Sequence, residues 1–300
     1  MRKKIFSLFY FLLFFILAIQ SPKGLLSQTK ADYDYYLAGG TVNSSNPVSS
    51  SAVMLIGGSE VNASWEIAAT EWFLQNADGG DYLVIRADGT GSQASWVWSN
   101  FSNILSSAAE LSINNMNGAN DPAVEQYILD AEAIFIAGGD QDEYDNFWKN
   151  TKVEDALNYL IHTKHIPIGG TSAGMAVLGE SYYAPSGTSL LSSEILNNPY
   201  HANTSDIWHG GFINIPYLDN VITETHADRE HGSSNENRYG RAFGFLARVT
   251  ADNGNQLPSY AIVCEEAAFV CIDANGIAKV YGNGSIDGCD AYFLQTNGAV

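Results

Sequence analysis

Gly170-Thr171-Ser172-Ala173-Gly174 has the residue types and spacing of a nucleophile turn. A short apolar run, Ile166 to Ile168, reads as a buried strand, and Gly169 and Gly170 break it. Met175 to Glu180 then tolerates helix. A serine on a tight strand-to-helix turn presents its hydroxyl to a reactant. Glycines two residues either side let the backbone bend and let other groups approach. The new helix offers free N–H groups to developing negative charge. An ordinary Gly-rich turn has the same pattern, so the chemistry depends on finding a base and an acid that orients it.

Six histidines are available. His162 and His165 lie on the helix–strand connection before Ser172, on the wrong side of the sheet. His201 and His209 fall in a loop region, and His231 sits in the polar stretch Glu230 to Glu236. His226 is the best placed, because it follows a short strand, Val221 to Thr223, and precedes a loop with Asp228 and Arg229. The orienting acid is Asp206, Asp219 or Glu224 upstream, or Glu265 or Glu266 downstream. Glu265-Glu266 interrupts an apolar β segment, Ile262 to Ile272, where a carboxylate must be solvated or paired. An α/β-hydrolase would carry its histidine near the C-terminus, yet the 69 residues after His231 contain none.

The elements that must position these groups alternate. Strands are expected at Ala52–Ile56, Tyr82–Ile85, Glu110–Ile113, Ala133–Ala137 and Ile166–Ile168. Helices are expected at Trp65–Leu74, Trp96–Leu105, Pro122–Leu129 with Asp121 as N-cap, and Glu143–Ile161. Strands that are apolar throughout, rather than alternating, predict a mostly parallel sheet covered on both faces, an α/β fold. Such sheets bind ligands at the C-terminal ends of their strands. Those ends carry Gly57-Gly58, Gly138-Gly139 and Gly169-Gly170, and none forms G-x-G-x-x-G, so a dinucleotide site is not supported. Residues 181–220 read as loops and short strands, Asn237–Leu246 as a helix. From Tyr260 the pattern turns to β, with a hairpin at Asn275-Gly276.

The chain has 300 residues and a formal charge of −19. Arg2, Lys3 and Lys4 precede the apolar run Ile5–Ile19, the layout of a secretory signal peptide over residues 1–27. The division expected is therefore signal peptide 1–27, a Ser/Asn-rich linker 28–50, and one catalytic domain 51–300. Cleavage would remove Arg2, Lys3, Lys4 and Lys23 and no acid, leaving −23. Export to a periplasmic or extracellular location follows, with no membrane association after cleavage. So acidic a protein is a poor partner for nucleic acid. Cys264, Cys271 and Cys289 would allow one disulfide or serve as small buried residues. They form no C-x-x-C and no histidine follows them, which argues against a metal site, and no cofactor is expected.

Several segments together resemble the cyanophycinase and peptidase E (aspartyl dipeptidase) family of serine peptidases. They are Met54-Leu-Ile-Gly-Gly58, Ile134-Phe-Ile-Ala-Gly-Gly-Asp-Gln141, Gly169-Gly-Thr-Ser-Ala-Gly174, Thr225-His226, Arg229, Arg238-Tyr-Gly-Arg241 and Cys264-Glu-Glu266, in the family's order over about residues 51–285. Gln141 and the arginine set are closer to cyanophycinase. The resemblance implies a three-layer α/β/α fold of the class I glutamine-amidotransferase (flavodoxin-like) type with an added C-terminal β region. It implies Ser172 as nucleophile, His226 as base and Glu266 as orienting acid. Ala173 and Gly139 would supply the oxyanion hole, and Gln141, Arg229, Arg238 and Arg241 would line the pocket for a peptide or polyaspartate-type substrate. A homodimer is compatible with it. Around His226 the chain departs from the family's cyanophycin-binding pattern. Glu224-Thr225 stands for Asp-Gln, Ala227 for Phe, and His231–Asn237 is inserted.

Overall fold

The computed structural model describes residues 27–29, 31–42, 50–58, 62–89, 92–230, 234–254, 258–284 and 288–297. Fourteen strands occur in chain order among them: β1 Ser27–Thr29, β2 Tyr33–Gly40, β3 Val53–Ile56, β4 Asp81–Arg86, β5 Ser107–Ile113, β6 Ala133–Ile136, β7 Ile168–Thr171, β8 Ser181–Tyr183, β9 Ile207–His209, β10 Val221–Glu224, β11 Tyr260–Cys264, β12 Phe269–Ile272, β13 Ala278–Tyr281 and β14 Ala291–Gln295. The α-helices are α1 Ser64–Gln75, α2 Ser92–Phe101, α3 Met116–Ala119, α4 Pro122–Leu129, α5 Gln141–Trp148, α6 Lys152–Tyr159, α7 Ala173–Ala176, α8 Ser192–Asn197 and α9 Tyr239–Asp252.

The larger sheet has the order β1-β2-β5-β4-β6-β7-β3-β12-β13. Its five central strands, β5 through β3, run parallel, and the flanking strands are antiparallel. Successive side chains on a strand point to opposite faces. Leu55, Leu83, Ile85, Ile134, Ile136 and Ile168 therefore pack with helices α4 to α6. Met54, Ile56, Tyr82, Val84 and Phe135 pack with α1 and α2 on the other face. Both faces are buried, which is why these strands are apolar throughout, and the result is the expected mixed α/β fold in three layers. A smaller sheet, β14-β11-β10-β8-β9, packs under α8 and α9 through a third cluster that includes Ile195, Ile222 and Phe245.

Two expectations need correction. Residues 28–50 are not simply a linker: Tyr33 to Gly40 form β2, paired along β5, and Tyr33 is fully buried. The single helix expected over Glu143–Ile161 is two. Asn150 takes a positive φ of 59°, and Thr151 caps α6 through its hydroxyl, 3.3 Å from the Val153 N–H. The hairpin at Asn275-Gly276 joins β12 to β13. All three cysteines are free thiols, with Cys264 and Cys271 buried. The signal segment lies outside the described residues except Ser27. Among the described residues no helix is long and apolar enough to cross a membrane.

Candidate active site

Ser172 stands between β7 and α7 with φ 53° and ψ −119°, a strained conformation for a residue with a Cβ. Its backbone N–H is tied to the Ile56 carbonyl at 3.0 Å. The flanking glycines are there for space. A Cβ on Gly174 would lie 2.0 Å from the Ile136 carbonyl oxygen, and one on Gly170 would lie 2.5 Å from Gly174. The turn is thus pressed against the exit of the neighbouring strand β6.

His226 follows β10 of the smaller sheet and is 8% exposed, also at positive φ. Its N–H bonds the Gly57 carbonyl at 3.0 Å. The ring lies so close over Gly58 that a Cβ there would be 2.0 Å from Cε1. Nε2 is 2.6 Å from the Ser172 hydroxyl, and Nδ1 is 2.9 Å from Glu266 Oε1. An ionised carboxylate only accepts, so Nδ1 carries the proton and Nε2 is left to accept from the serine. Burial lowers the pKa of His226, the Glu266 hydrogen bond opposes this, and the Arg238 charge lowers it further.

Glu266 follows β11. Its own N–H bonds Asp228 Oδ1 at 2.9 Å, and its carboxylate is partly exposed. The adjacent Glu265 is itself buried and points the other way, accepting from the hydroxyls of Tyr239 and Tyr292 and from the Asp290 N–H. Of the acids left open by the sequence, only Glu266 bonds His226. Such a Ser–His–carboxylate series can pass a proton from the hydroxyl to the ring and support the imidazolium that results.

The other expected residues divide. Gly138 passes beside the serine: a Cβ there would be 3.3 Å from Ser172 Cβ, and Gly139 follows it. Ala173 opens α7 directly after the serine, and Gln141 opens α5. Arg229 is 61% exposed, with Nη1 3.7 Å from Glu266. Arg238 bonds the Thr225 carbonyl at 3.3 Å, and its Nε is buried with no hydrogen-bond partner. Burial, then the nearby Arg241, lowers its pKa to about 10. Arg241 corrects the expectation. It is 4% exposed and grips Glu224 with two bonds, at 2.6 and 2.8 Å, while Ser189 takes another at 2.6 Å. Held by these bonds and by the Leu190 carbonyl, it braces α9 to β10 and is absent from the walls of the cavity beside Ser172.

A cavity of about 500 Å³ adjoins Ser172 and His226, its walls including Glu66, Arg86, Trp96 and Gly138. None of the expected pocket arginines lines it. The sequence carries no signal for Arg86; Glu110, its partner, enters only as the first residue of the expected strand Glu110–Ile113.

Residues 53–195 match the model of peptidase family S51. That segment runs from β3 through the serine turn to α8 and ends before His226 and Glu266. Among solved structures, the chain is similar to a peptidase from an acI-B1 Actinobacterium, with a TM-score of 0.51 and 17% identity, over 81% of this chain and 93% of that one. A candidate peptidase E protein from Listeria monocytogenes EGD-e gives a TM-score of 0.43 and 12% identity over 77% and 97%. The first likeness supports the fold, and the family match supports a peptidase hydrolase: over residues 53–195 the chain matches peptidase family S51.

Proposed function

We propose that the protein is an exported serine peptidase of cyanophycinase type that cleaves aspartyl peptides, the β-Asp-Arg polymer or related chains, through an acyl-enzyme on Ser172. The observation that carries this is the unbroken series from Ser172 Oγ to His226 Nε2 at 2.6 Å and from His226 Nδ1 to Glu266 at 2.9 Å. Ser172 Oγ adds to the carbonyl carbon while His226 takes its proton. The ring then protonates the departing amine, and water repeats the cycle on the ester. The Ala173 and Gly139 N–H groups receive the oxyanion. Arg229 and Arg238, which lie near His226 outside the cavity walls, receive a substrate carboxylate that extends beyond the cavity, for which a planar guanidinium is suited.

An aspartyl dipeptidase-like exopeptidase is the second reading. Withdrawal of Arg241 into its pair with Glu224 favours it, because fewer arginines remain for a branched polymer. A non-catalytic binding protein on the same fold is the outcome if the serine is inert. Ser172→Ala is expected to abolish both hydrolysis and labelling of the wild-type serine by a fluorophosphonate. Ser172→Ala with His226→Ala should lose no more than either alone, since the two act as a unit. Undiminished hydrolysis by Ser172→Ala would overturn the reading. Product analysis on N-terminal-Asp dipeptides against cyanophycin separates the two substrates. Export rests on the basic start and the Ile5–Ile19 run, and sequencing the N-terminus of the protein recovered outside the cytoplasm tests it.

A further inference from the structure

We infer that Arg86 is a positioning residue for the oxyanion hole, an inference that rests on the reading of Ser172 given above. Arg86 ends β4, which lies between β5 and β6 in the sheet. Its guanidinium joins those two neighbours. Nη1 bonds Glu110 Oε1 on β5 at 3.2 Å, and Nη2 donates to the Gly138 carbonyl, in the loop leaving β6, at 3.2 Å.

Holding that carbonyl holds more than one atom. A trans peptide is planar, with C=O and N–H pointing in opposite directions. Fixing the Gly138 carbonyl on one side therefore fixes the Gly139 N–H on the other. This is the donor assigned to the oxyanion, in a segment whose Gly138 would set a Cβ 3.8 Å from Ser172 Oγ. The carbonyl one residue earlier, on Ala137, is held by the Tyr144 hydroxyl at 2.9 Å. Two consecutive carbonyls are pinned in a Gly-Gly stretch that would otherwise rotate freely. A cation on the carbonyl also polarises the amide and makes its N–H a stronger donor.

Stability alone does not account for the pair. Glu110 is 1% exposed, yet its Oε2 and the Arg86 Nε are both buried without a hydrogen-bond partner. A buried ion pair with open atoms is a poor stabiliser beside an apolar replacement. Gly89, at φ 143°, lies against the guanidinium, where a Cβ would come 2.4 Å from Nε, so the side chain is confined to this path.

The test compares Arg86→Met, Arg86→Lys and Glu110→Gln with wild type on a peptide that wild type hydrolyses. Peptide-aldehyde inhibition and binding of the intact peptide in a Ser172→Ala background are measured alongside. Arg86→Met should lower kcat about 10- to 100-fold, short of the roughly 10²–10³ lost with a whole donor, with KM within about twofold. Inhibition by the aldehyde, which becomes tetrahedral on Ser172, should weaken by the same factor, while ground-state peptide binding holds. Arg86→Lys keeps the charge without the fork and should fall between. If Arg86→Met does not fold, Arg86→Lys and Glu110→Gln carry the comparison. Unchanged kcat and aldehyde inhibition in the folded variants, or losses in KM and ground-state binding alone, would overturn the role. A wild-type protein that neither hydrolyses peptides nor labels at Ser172 would instead overturn the peptidase reading beneath it.

Discussion

At the scale of single residues, His226, the base of the proposed mechanism, sits where its neutral form is favoured. Burial disfavours its charged form, and the Arg238 and Arg229 charges add to that, while Glu266 pulls the other way. The net shift is downward, so the unprotonated ring persists to lower pH than an ordinary histidine would. Activity that needs this form should be fully present above the usual histidine range and lost as pH falls through the lowered value. Arg238→Met removes one cause of the lowering and should move the acid limb of kcat/KM upward, toward the ordinary range. A limb that stays fixed or moves down would show that Arg238 does not govern the base. The position of the limb is the readout, because substrate affinity can change as well. The pairing of Ser172 with His226 was legible from residue type and spacing. Glu266 was singled out only through the family resemblance, since Glu265 and Glu266 are chemically alike and adjacent. The turn that leaves β11 at Cys264 sends Glu265 to Tyr239 and Tyr292 and Glu266 to His226, and only the packing decides which.

At the scale of elements, the serine turn works because β7 and α7 press against the end of β6. Gly174→Ala would put a Cβ 2.0 Å from the Ile136 carbonyl oxygen, a backbone atom at the end of a central strand that cannot retreat. Overpacking of this kind costs about 1–3 kcal/mol. Chemical denaturation should show at least that loss, with the activity of the remaining folded protein reduced because Ser172 shifts. Gly187→Ala, with open space around its Cβ, is the control and should change neither quantity. Equal stability of the two variants would mean that the turn is looser than this packing implies. The central strands and their glycine exits were legible because a doubly covered sheet requires apolar residues throughout. Strand β2 was hidden by its Ser-, Asn- and Gly-rich surroundings, although Tyr33 and Tyr35 alternate as a one-faced strand does. The break between α5 and α6 left a signal that the helical pattern masked: Thr151 followed three residues later by Glu154. Glu154 reaches back to the Asn150 N–H at 2.5 Å. Arg86 with Glu110 was not legible, because their contact depends on which strands are neighbours in the sheet.

At the scale of the whole molecule, the site joins two sheets. Ser172 comes from the larger one, while His226 and Glu266 follow strands β10 and β11 of the smaller. The family match covers only the first of these contributions. The whole 300-residue chain carries a formal charge of −19, yet Arg229 and Arg238 sit beside the site. The two fields act at different ranges. In the proposed mechanism the local arginines meet a carboxylate on contact, whereas the overall negative charge would draw a cationic substrate from a distance and is screened by salt. At about 0.01 M ionic strength the screening length is near 30 Å, and at 0.1 M it is near 10 Å. Raising salt across that range should therefore lower kcat/KM for an arginine-bearing peptide several-fold by weakening long-range attraction. The same peptide with citrulline in place of arginine should change little, and kcat for both should hold, because steering acts on encounter and not on the bound complex. Steady-state rates at constant pH provide the measurement. If the cationic peptide gains from salt, the local arginines dominate the approach and the global charge has no part in substrate capture.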